Sequence, residues 1–168
     1  MKIAIRGVDT ALRHVMDVQG RLAGRVKELL FRLGQFGVDM ASVRFKTAQY
    51  DGVNDVTVGM EWTDDKTLTI RADGGAVAFI EFGTGVHYKE AHPKASEFGA
   101  VRGSYGHGLG KLDSWRYTGN PGTNGEIITE GKHAGMVKTH GNPPARAMYD
   151  TGRELREQIV QIAREVFG

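Results

Sequence analysis

The chain has 168 residues, of which 40% are hydrophobic and 25% charged, and this composition is typical of one globular domain. It contains no cysteine, which excludes disulfides, thiolate metal sites and a cysteine nucleophile. Twenty-two Lys and Arg against 20 Asp and Glu leave a net charge of +2, too small an excess for a protein that grips DNA through its phosphates. No segment is apolar enough for a signal peptide or a membrane span, so we expect a soluble protein with no membrane partner.

Apolar residues recur every three or four positions near the start of the chain. This spacing predicts a long amphipathic helix over residues 9–36, which ends at Gly34 or Gly37. Two glycines inside the helix, Gly20 and Gly24, lower its intrinsic stability. They indicate positions where another backbone approaches the helix closely.

The period of the apolar residues changes from about 3.6 to 2 between residues 42 and 82, and turn signals follow at regular intervals. We expect an antiparallel four-stranded β-meander over residues 42–82, with one buried face. Its first strand would contain Val43 and Phe45. Its fourth segment, Ala76–Phe82, is short enough to form either a last strand or a helical turn packed on the sheet.

Thirteen of the 24 glycines and five of the six histidines lie within residues 83–142. No apolar periodicity is sustained there, so we expect one long glycine-rich loop. Pro143 and Pro144 then begin a C-terminal helix over residues 143–167. The predicted fold is a single α+β domain over residues 1–168, in which two helices cover one face of the sheet.

The candidate catalytic and cofactor motifs are weak. The loop histidines form no tight ligand pair such as HExxH, which favours solvated histidines over a metal site. The run Gly106–Lys111 lacks the spacing and the hydroxyl of a phosphate-binding loop. We therefore expect no enzyme, no cofactor and no metal, and a metal-dependent hydrolase is the least favoured class of function. The loop histidines are His87, His92, His107, His133 and His140.

Glu81 is a single carboxylate in an otherwise apolar run. We expect it either on the solvent side of a strand or paired with a cation such as Arg146 or Arg71. A structural pairing is favoured over a catalytic acid.

Two short blocks resemble a family of neck and tail-completion proteins of long-tailed bacteriophages. Residues 79–85, FIEFGTG, resemble the family's (Y/F)-(V/I)-E-(F/Y)-G-T block. Residues 139–149, THGNPPARAMY, resemble its second block, a small-residue turn followed by P-A-R-P-F-M, with Ala147 in place of the usual proline. The resemblance covers most of the chain outside residues 86–138, which form a longer insertion than in minimal members.

The resemblance implies a non-enzymatic virion protein that forms a homo-oligomeric ring, a hexamer, at the junction of head and tail. Its partners would be copies of itself, a head-connector or head-completion protein and the tail tube protein, while genomic DNA passes through without tight binding. Its location would be the neck or upper tail of the virion and, during assembly, the host cytoplasm. A short sheet with unpaired edges is compatible with a ring, because a neighbouring subunit pairs them.

Aromatic residues are scarce in flexible spacers and common in interfaces, so we expect those of the glycine-rich segment at subunit contacts. The segment would become ordered against an adjacent subunit or ring. Together with the two blocks, the expected interface residues are Glu81, Phe82, Gly83, Thr84, Gly85, Tyr105, Trp115, Tyr117, Arg146 and Met148.

The alternative function is a nucleic-acid-binding module that uses the basic first helix and the loop aromatics. The first 38 residues hold seven Lys and Arg against three Asp and Glu. Such charge is more often the solvated side of an amphipathic helix than a phosphate-binding surface. A steep loss of DNA affinity with salt would distinguish this module from a ring protein.

Overall fold

The computed structural model describes residues 8–104 and 111–168, with side chains from residue 12 onward. The described residues form a mixture of helix and sheet, which confirms the α+β class. In chain order the elements are α1 (Val8–Thr47), β1 (Thr57–Asp64), β2 (Thr67–Asp73), α2 (Val77–Phe82), β3 (Trp115–Tyr117), β4 (Glu126–Ile127), β5 (Val137–Thr139) and α3 (Ala147–Phe167).

The predicted four-stranded meander is wrong. Strands β1 and β2 form a two-stranded antiparallel sheet, and the other strands form a second antiparallel sheet in the order β3-β5-β4. In the first sheet Met60 pairs with Ile70, and the register shifts between Trp62 and Asp64. Within the described ranges neither β1 nor β2 pairs with a third strand, so each has one unpaired edge.

Helix α1 is longer than predicted and continues through both glycines that were expected to end it. A Cβ added at Gly34 would lie 2.7 Å from Met60 Sδ and even closer to the Leu68 side chain. A Cβ added at Gly37 would lie 3.1 Å from Leu155 Cδ1. These glycines therefore let β1, β2 and α3 approach the helix, and tertiary packing outweighs their poor helix propensity.

Val43 and Phe45 belong to the last turns of α1 rather than to a first strand. Phe45 is 1% exposed and Ala41 is fully buried, whereas Val43 faces solvent. Because Ala41 and Phe45 are four residues apart, they lie on one face of a helix. Two alternating residues were too few to distinguish a strand from this pattern.

The segment Ala76–Phe82, for which the sequence allowed a strand or a helical turn, contains the short helix α2. Asp55 holds the residues just before α2 in place. Its carboxylate accepts the N–H of Gly75 at 2.8 Å and the N–H of Ala76 at 2.9 Å. Ile80 of α2 is fully buried and packs with Phe45, Ala76 and Ala147 in the core. The core thus lies where α1, α2 and the start of α3 meet.

The glycine-rich segment is not a single loop, because it contains β3, β4 and β5. Trp115 pairs with Thr139, Tyr117 pairs with Val137, and the short β4 lies on the other side of β5. Val137 and Thr139 are each 1% exposed, so β5 is the buried centre of this sheet. Strands of two or three residues are too short to produce a detectable period in the sequence.

Helix α3 begins at Ala147, so Pro143 and Pro144 precede it instead of forming its first turn. The segment that leads into α3 is bonded to α2, because the N–H of Ala145 donates to the Ile80 carbonyl at 2.9 Å. Arg146 follows with a positive φ of 52°, which keeps the residues before it outside the helix. Over the part of the chain that the structure describes, no helix combines the length and apolar character needed to cross a bilayer.

Candidate functional site

Glu81 joins α2 to the first turn of α3. Its carboxylate is 6% exposed and accepts the backbone N–H of Met148 at 2.8 Å and of Tyr149 at 3.0 Å. His92 Nε2 lies 3.1 Å from the same carboxylate. Arg146, at the N-cap of α3, gives no side-chain cap, so Glu81 satisfies amides that the helix leaves unpaired.

The expected positions of Glu81, on a solvent side or beside Arg146 or Arg71, are wrong. The Arg71 guanidinium instead bonds to Asp73 at 2.8 Å. The Arg146 side chain lies 3.7 Å from Asp150, and only its backbone N–H reaches Glu81, at the main-chain carbonyl. The partners of the Glu81 carboxylate are two helix amides and a buried histidine.

The two sequence blocks lie directly against each other. Their backbones exchange hydrogen bonds, since the Thr84 N–H donates to the Asn142 carbonyl at 2.8 Å and the Asn142 N–H to the Thr84 carbonyl at 3.2 Å. Gly83 has a φ of 75°, and a Cβ there would lie 2.6 Å from the Pro144 nitrogen. A Cβ at Gly141 would collide with the Thr84 carbonyl. The blocks therefore form one unit, which we call the α2–α3 junction (residues 79–85 and 139–149).

Asn142 is the polar centre of the junction, and the sequence analysis did not identify it. Its side chain accepts the Asp51 N–H at 2.8 Å and donates to Thr84 Oγ1 at 3.0 Å. Asn142 is 1% exposed, and its hydrogen bonds satisfy polar groups that would otherwise be buried without partners. An Asn before two prolines is typical of an ordinary turn, so the sequence contains no signal for this role.

The aromatics of the glycine-rich segment pack against the junction. A Cβ at Gly85 would lie 3.1 Å from the Trp115 ring, so the indole covers that glycine. The Tyr117 hydroxyl lies 2.9 Å from the Asp51 carbonyl and 2.7 Å from the Asn120 carbonyl. Burial, followed by the negative charge of Asp51, raises the pKa of Tyr117 to about 12.

A mainly apolar groove of about 440 Å³ opens beside the Glu81–His92 pair. Its walls include Phe82, Phe98 and Met148, and the Phe82 ring meets the His92 ring edge-on with centroids 4.5 Å apart. Phe98 is 69% exposed, so one wall of the groove faces solvent. This groove is the part of the junction best placed to receive an apolar side chain from outside.

The structure describes nine of the ten expected interface residues, while Tyr105 lies outside the described ranges. Contacts within the subunit connect the nine in and around the α2–α3 junction. His92 and Asn142, which the sequence analysis did not include, complete it. The nine are Glu81, Phe82, Gly83, Thr84, Gly85, Trp115, Tyr117, Arg146 and Met148.

A second candidate surface is the first part of α1. Arg25 donates to the Phe167 carbonyl at 2.8 Å, so α3 ends beside Arg25. Lys27 bonds to Asp65 in the β1–β2 turn at 2.8 Å, so the tip of the hairpin also lies beside this part of α1. Residues 8–24, here called the projecting helix, therefore extend about 25 Å beyond the body.

The projecting helix has an uncovered apolar stripe. A Cβ added at Gly20 or Gly24 would find no atom of the described subunit within 4 Å, so the close backbone approach expected at these glycines does not occur within the subunit. Met16 is 69% exposed. The exposed apolar residues of the stripe are Leu12, Val15, Met16 and Leu22, and Val26 continues it onto the body.

Basic residues on and beside the projecting helix have partners within the chain. Arg21 lies 3.3 Å from Asp17, one turn earlier on the helix. Arg25 and Lys27 are held by the end of α3 and by the hairpin turn, as described above. Arg21 and Lys27 are therefore paired with carboxylates, and Arg25 is held by main-chain carbonyls, before any external ligand arrives.

No protein-family model, no curated protein and no solved structure matches this chain.

Proposed function

We propose that this chain is a structural assembly subunit of a long-tailed phage particle. It acts as a neck, tail-terminator or tail-completion protein, and it forms a homo-oligomeric ring of six copies through which genomic DNA passes. Its partners are a head-connector or head-completion protein on one side and the tail tube protein on the other. The proposal rests on the two sequence blocks and, above all, on the uncovered projecting helix.

The projecting helix is the observation that supports assembly most directly. A helix of this length without tertiary contacts is only marginally stable in water, and its apolar stripe gains stability when another surface covers it. The stripe is too extended to be explained by scattered surface residues, because its members recur on one face. The subunit therefore presents a helix that is adapted to a partner.

A second copy of the chain is the occupant that the described surface favours. Ile159, Val160 and Phe167 expose apolar side chains around a groove of about 470 Å³ at the end of α3. That groove lies at the end of the body from which the projecting helix leaves, as the Arg25–Phe167 bond shows. If each projecting helix covers the α3 end of a next subunit that does not cover it in return, the contact is head-to-tail, and such contacts form a ring when the rotation between neighbours closes.

The unpaired edges of the β1–β2 sheet add support for a ring. A two-stranded sheet is marginal alone and leaves backbone donors and acceptors available on both outer edges. A neighbouring subunit would pair these edges. The sheet is smaller than the sequence predicted, but the argument from open edges still applies to it.

The alternative, a nucleic-acid-binding module, has less support. Three of the cations on and next to the projecting helix already contact acidic side chains or carbonyls of the chain. Trp115 is packed against Gly85 of the junction, and the Tyr117 hydroxyl bonds to the Asp51 carbonyl, so contacts within the chain already hold both aromatics. Phosphate binding would compete with these contacts.

The oligomer is tested by measuring the mass of the full chain in solution. We expect the wild-type chain to form a closed oligomer and a Met16→Glu, Leu22→Glu variant to be monomeric with the body still folded. His14→Glu adds a charge to the same exposed helix away from the apolar stripe, so it should assemble normally. Equal assembly of the wild type and the double variant would contradict the interface.

The function is tested by deleting the coding sequence from the phage or prophage genome that carries it. We expect DNA-filled heads and separate tails, and we expect infectivity to return with the wild-type chain but not with the double variant. Infectious tailed particles that lack this protein would contradict the proposed function.

A further inference from the structure

Three side chains with metal-ligand chemistry converge at one end of the three-stranded sheet. His87 Nδ1 lies 3.1 Å from Asp113 Oδ1, and His140 Nδ1 lies 3.5 Å from Asp113 Oδ2. The two imidazole rings are 4.4 Å apart between centroids. One ligand atom from each residue can be chosen so that all three atoms lie within 4.8 Å of one another.

The fold explains why these residues meet. Asp113 lies two residues before β3 and His140 directly follows β5, and the pairing of Trp115 with Thr139 places both at the same end of the sheet. His87 comes from the turn after α2. That turn lies against the end of β5 at Gly85, where an added Cβ would be 3.0 Å from the His140 carbonyl.

We propose that His87, Asp113 and His140 form a binding site for a divalent transition-metal ion such as Zn²⁺. Two imidazoles and one carboxylate are a donor set that suits Zn²⁺ and its neighbours in the first transition row. Metal–ligand bonds of about 2.0–2.2 Å at tetrahedral angles place ligand atoms about 3.4 Å apart. Each histidine lies close to that distance from one carboxylate oxygen, His87 at 3.1 Å from Oδ1 and His140 at 3.5 Å from Oδ2. Three ligand atoms, one from each residue, lie within 4.8 Å of one another.

The surroundings of the cluster are suited to binding. Asp113 is exposed, and an exposed carboxylate is ionised at neutral pH, as a metal ligand must be. His140 Nδ1 also lies 3.0 Å from the Asp113 main-chain carbonyl, and an ion bound at Nδ1 would replace this contact. His87 and Asp113 are exposed, so an ion can enter and its remaining positions are open to water.

A bound ion would act on the glycine-rich segment. It would connect the turn after α2, the residue that leads into β3 and the residue that follows β5. Closing these two long loops costs chain entropy, and metal binding to the folded arrangement offsets that cost. The site is independent of the proposed ring, because all three ligands come from one subunit.

The test uses the full chain without an affinity tag, stripped with EDTA and then titrated with Zn²⁺ alone by calorimetry. We expect saturable binding of one ion per chain and a Tm that rises with the Zn²⁺ concentration, since ligands that bind only the folded state stabilise it. His87→Ala, Asp113→Asn and His140→Ala should each weaken binding by at least about tenfold. Circular dichroism checks that each variant is folded.

His14→Ala is the matched control, because it removes a histidine from the projecting helix. It should bind Zn²⁺ as tightly as the wild type. Limited proteolysis gives a second readout, in which Zn²⁺ should slow cleavage within residues 83–142 of the wild type but not of His140→Ala. Absence of saturable binding, or binding that is unchanged in the three ligand variants, would overturn the proposal.

Discussion

The backbone N–H of Met148 donates to the carboxylate of Glu81 at 2.8 Å, across 67 residues of sequence. This bond caps α3 with a side chain that α2 supplies, and it does so inside the protein. The helix that closes the fold therefore depends on the short helix that precedes the glycine-rich segment. The two sequence blocks meet at this bond, which makes it the clearest point at which to test the α2–α3 junction.

Replacing Glu81 with Gln should destabilise the fold. The variant keeps the size of the side chain but loses the negative charge that the two amides of α3 and His92 face. We expect the free energy of unfolding to fall by roughly 1–3 kcal/mol, measured by urea denaturation. Glu90→Gln, at an exposed position, is the control and should change it by less than about 0.5 kcal/mol. Equal effects of the two substitutions would contradict the cap.

Gly83→Ala should cost far more than Gly99→Ala. Both glycines have a positive φ, 75° and 65°, so a side chain is strained at either position. Gly83, with a ψ of 175°, also lies in a region that essentially only glycine adopts. Only at Gly83 would the new methyl group collide with the backbone, 2.6 Å from the Pro144 nitrogen, whereas Gly99 has no described atom within 4 Å. Thermal unfolding of the two variants measures the difference. If Gly83→Ala is no less stable than Gly99→Ala, the close contact of the two blocks is wrong.

Asp55 should contribute to the acid sensitivity of the fold. The N–H of Ala76, followed by that of Gly75, lowers the pKa of Asp55 below its ordinary value of about 3.9. A lowered folded pKa gives stability that is present above about pH 3.9 and is lost as the pH falls through the folded pKa. Asp55→Asn should therefore have a lower Tm than the wild type at neutral pH, and the gap should narrow in acid. A gap that is constant with pH would contradict this role.

Tyr117 should make the fold sensitive to alkali. Its pKa is raised to about 12 from an ordinary value of about 10, mainly by burial. The resulting stability is complete below about pH 10 and is lost as the pH rises through the folded pKa. Tyr117→Phe should cost about 1 kcal/mol at neutral pH, because it removes the hydrogen bond of the hydroxyl, and should lose less stability in alkali than the wild type. Denaturant midpoints across this pH range measure both effects, and parallel pH profiles would argue against them.

The sequence predicted those elements of the fold that have long, regular apolar patterns. The first helix, the strands of the β1–β2 hairpin and most of α3 have enough residues to reveal their period. The end of α1 was wrong because Gly34 and Gly37 act through neighbours that are distant in the sequence. The short strands of the glycine-rich segment were missed for a related reason, since their stability comes from the buried β5 and not from local propensity.

The candidate site also combines features that the sequence predicted with features that depend on distant contacts. The two blocks could be recognised from the sequence, and the structure brings them together. The burial of His92 against Glu81 depends on a loop path that no local pattern encodes. The same holds for the ligand cluster, because Asp113 lies 26 residues after His87 and 27 before His140. They meet only through the pairing of β3 with β5 and the approach of the turn after α2.

The projecting helix has a thermodynamic consequence for how assembly begins. The helical hydrogen bonds of residues 8–24 and the exposed Arg21–Asp17 pair give this stretch only marginal stability of its own. In the proposed assembly, a second chain docked on the stretch would add to that stability. Helical content should therefore rise with protein concentration. In the proposed ring, each early encounter would also have to offset the entropy of ordering, so small clusters would be short-lived compared with the closed ring.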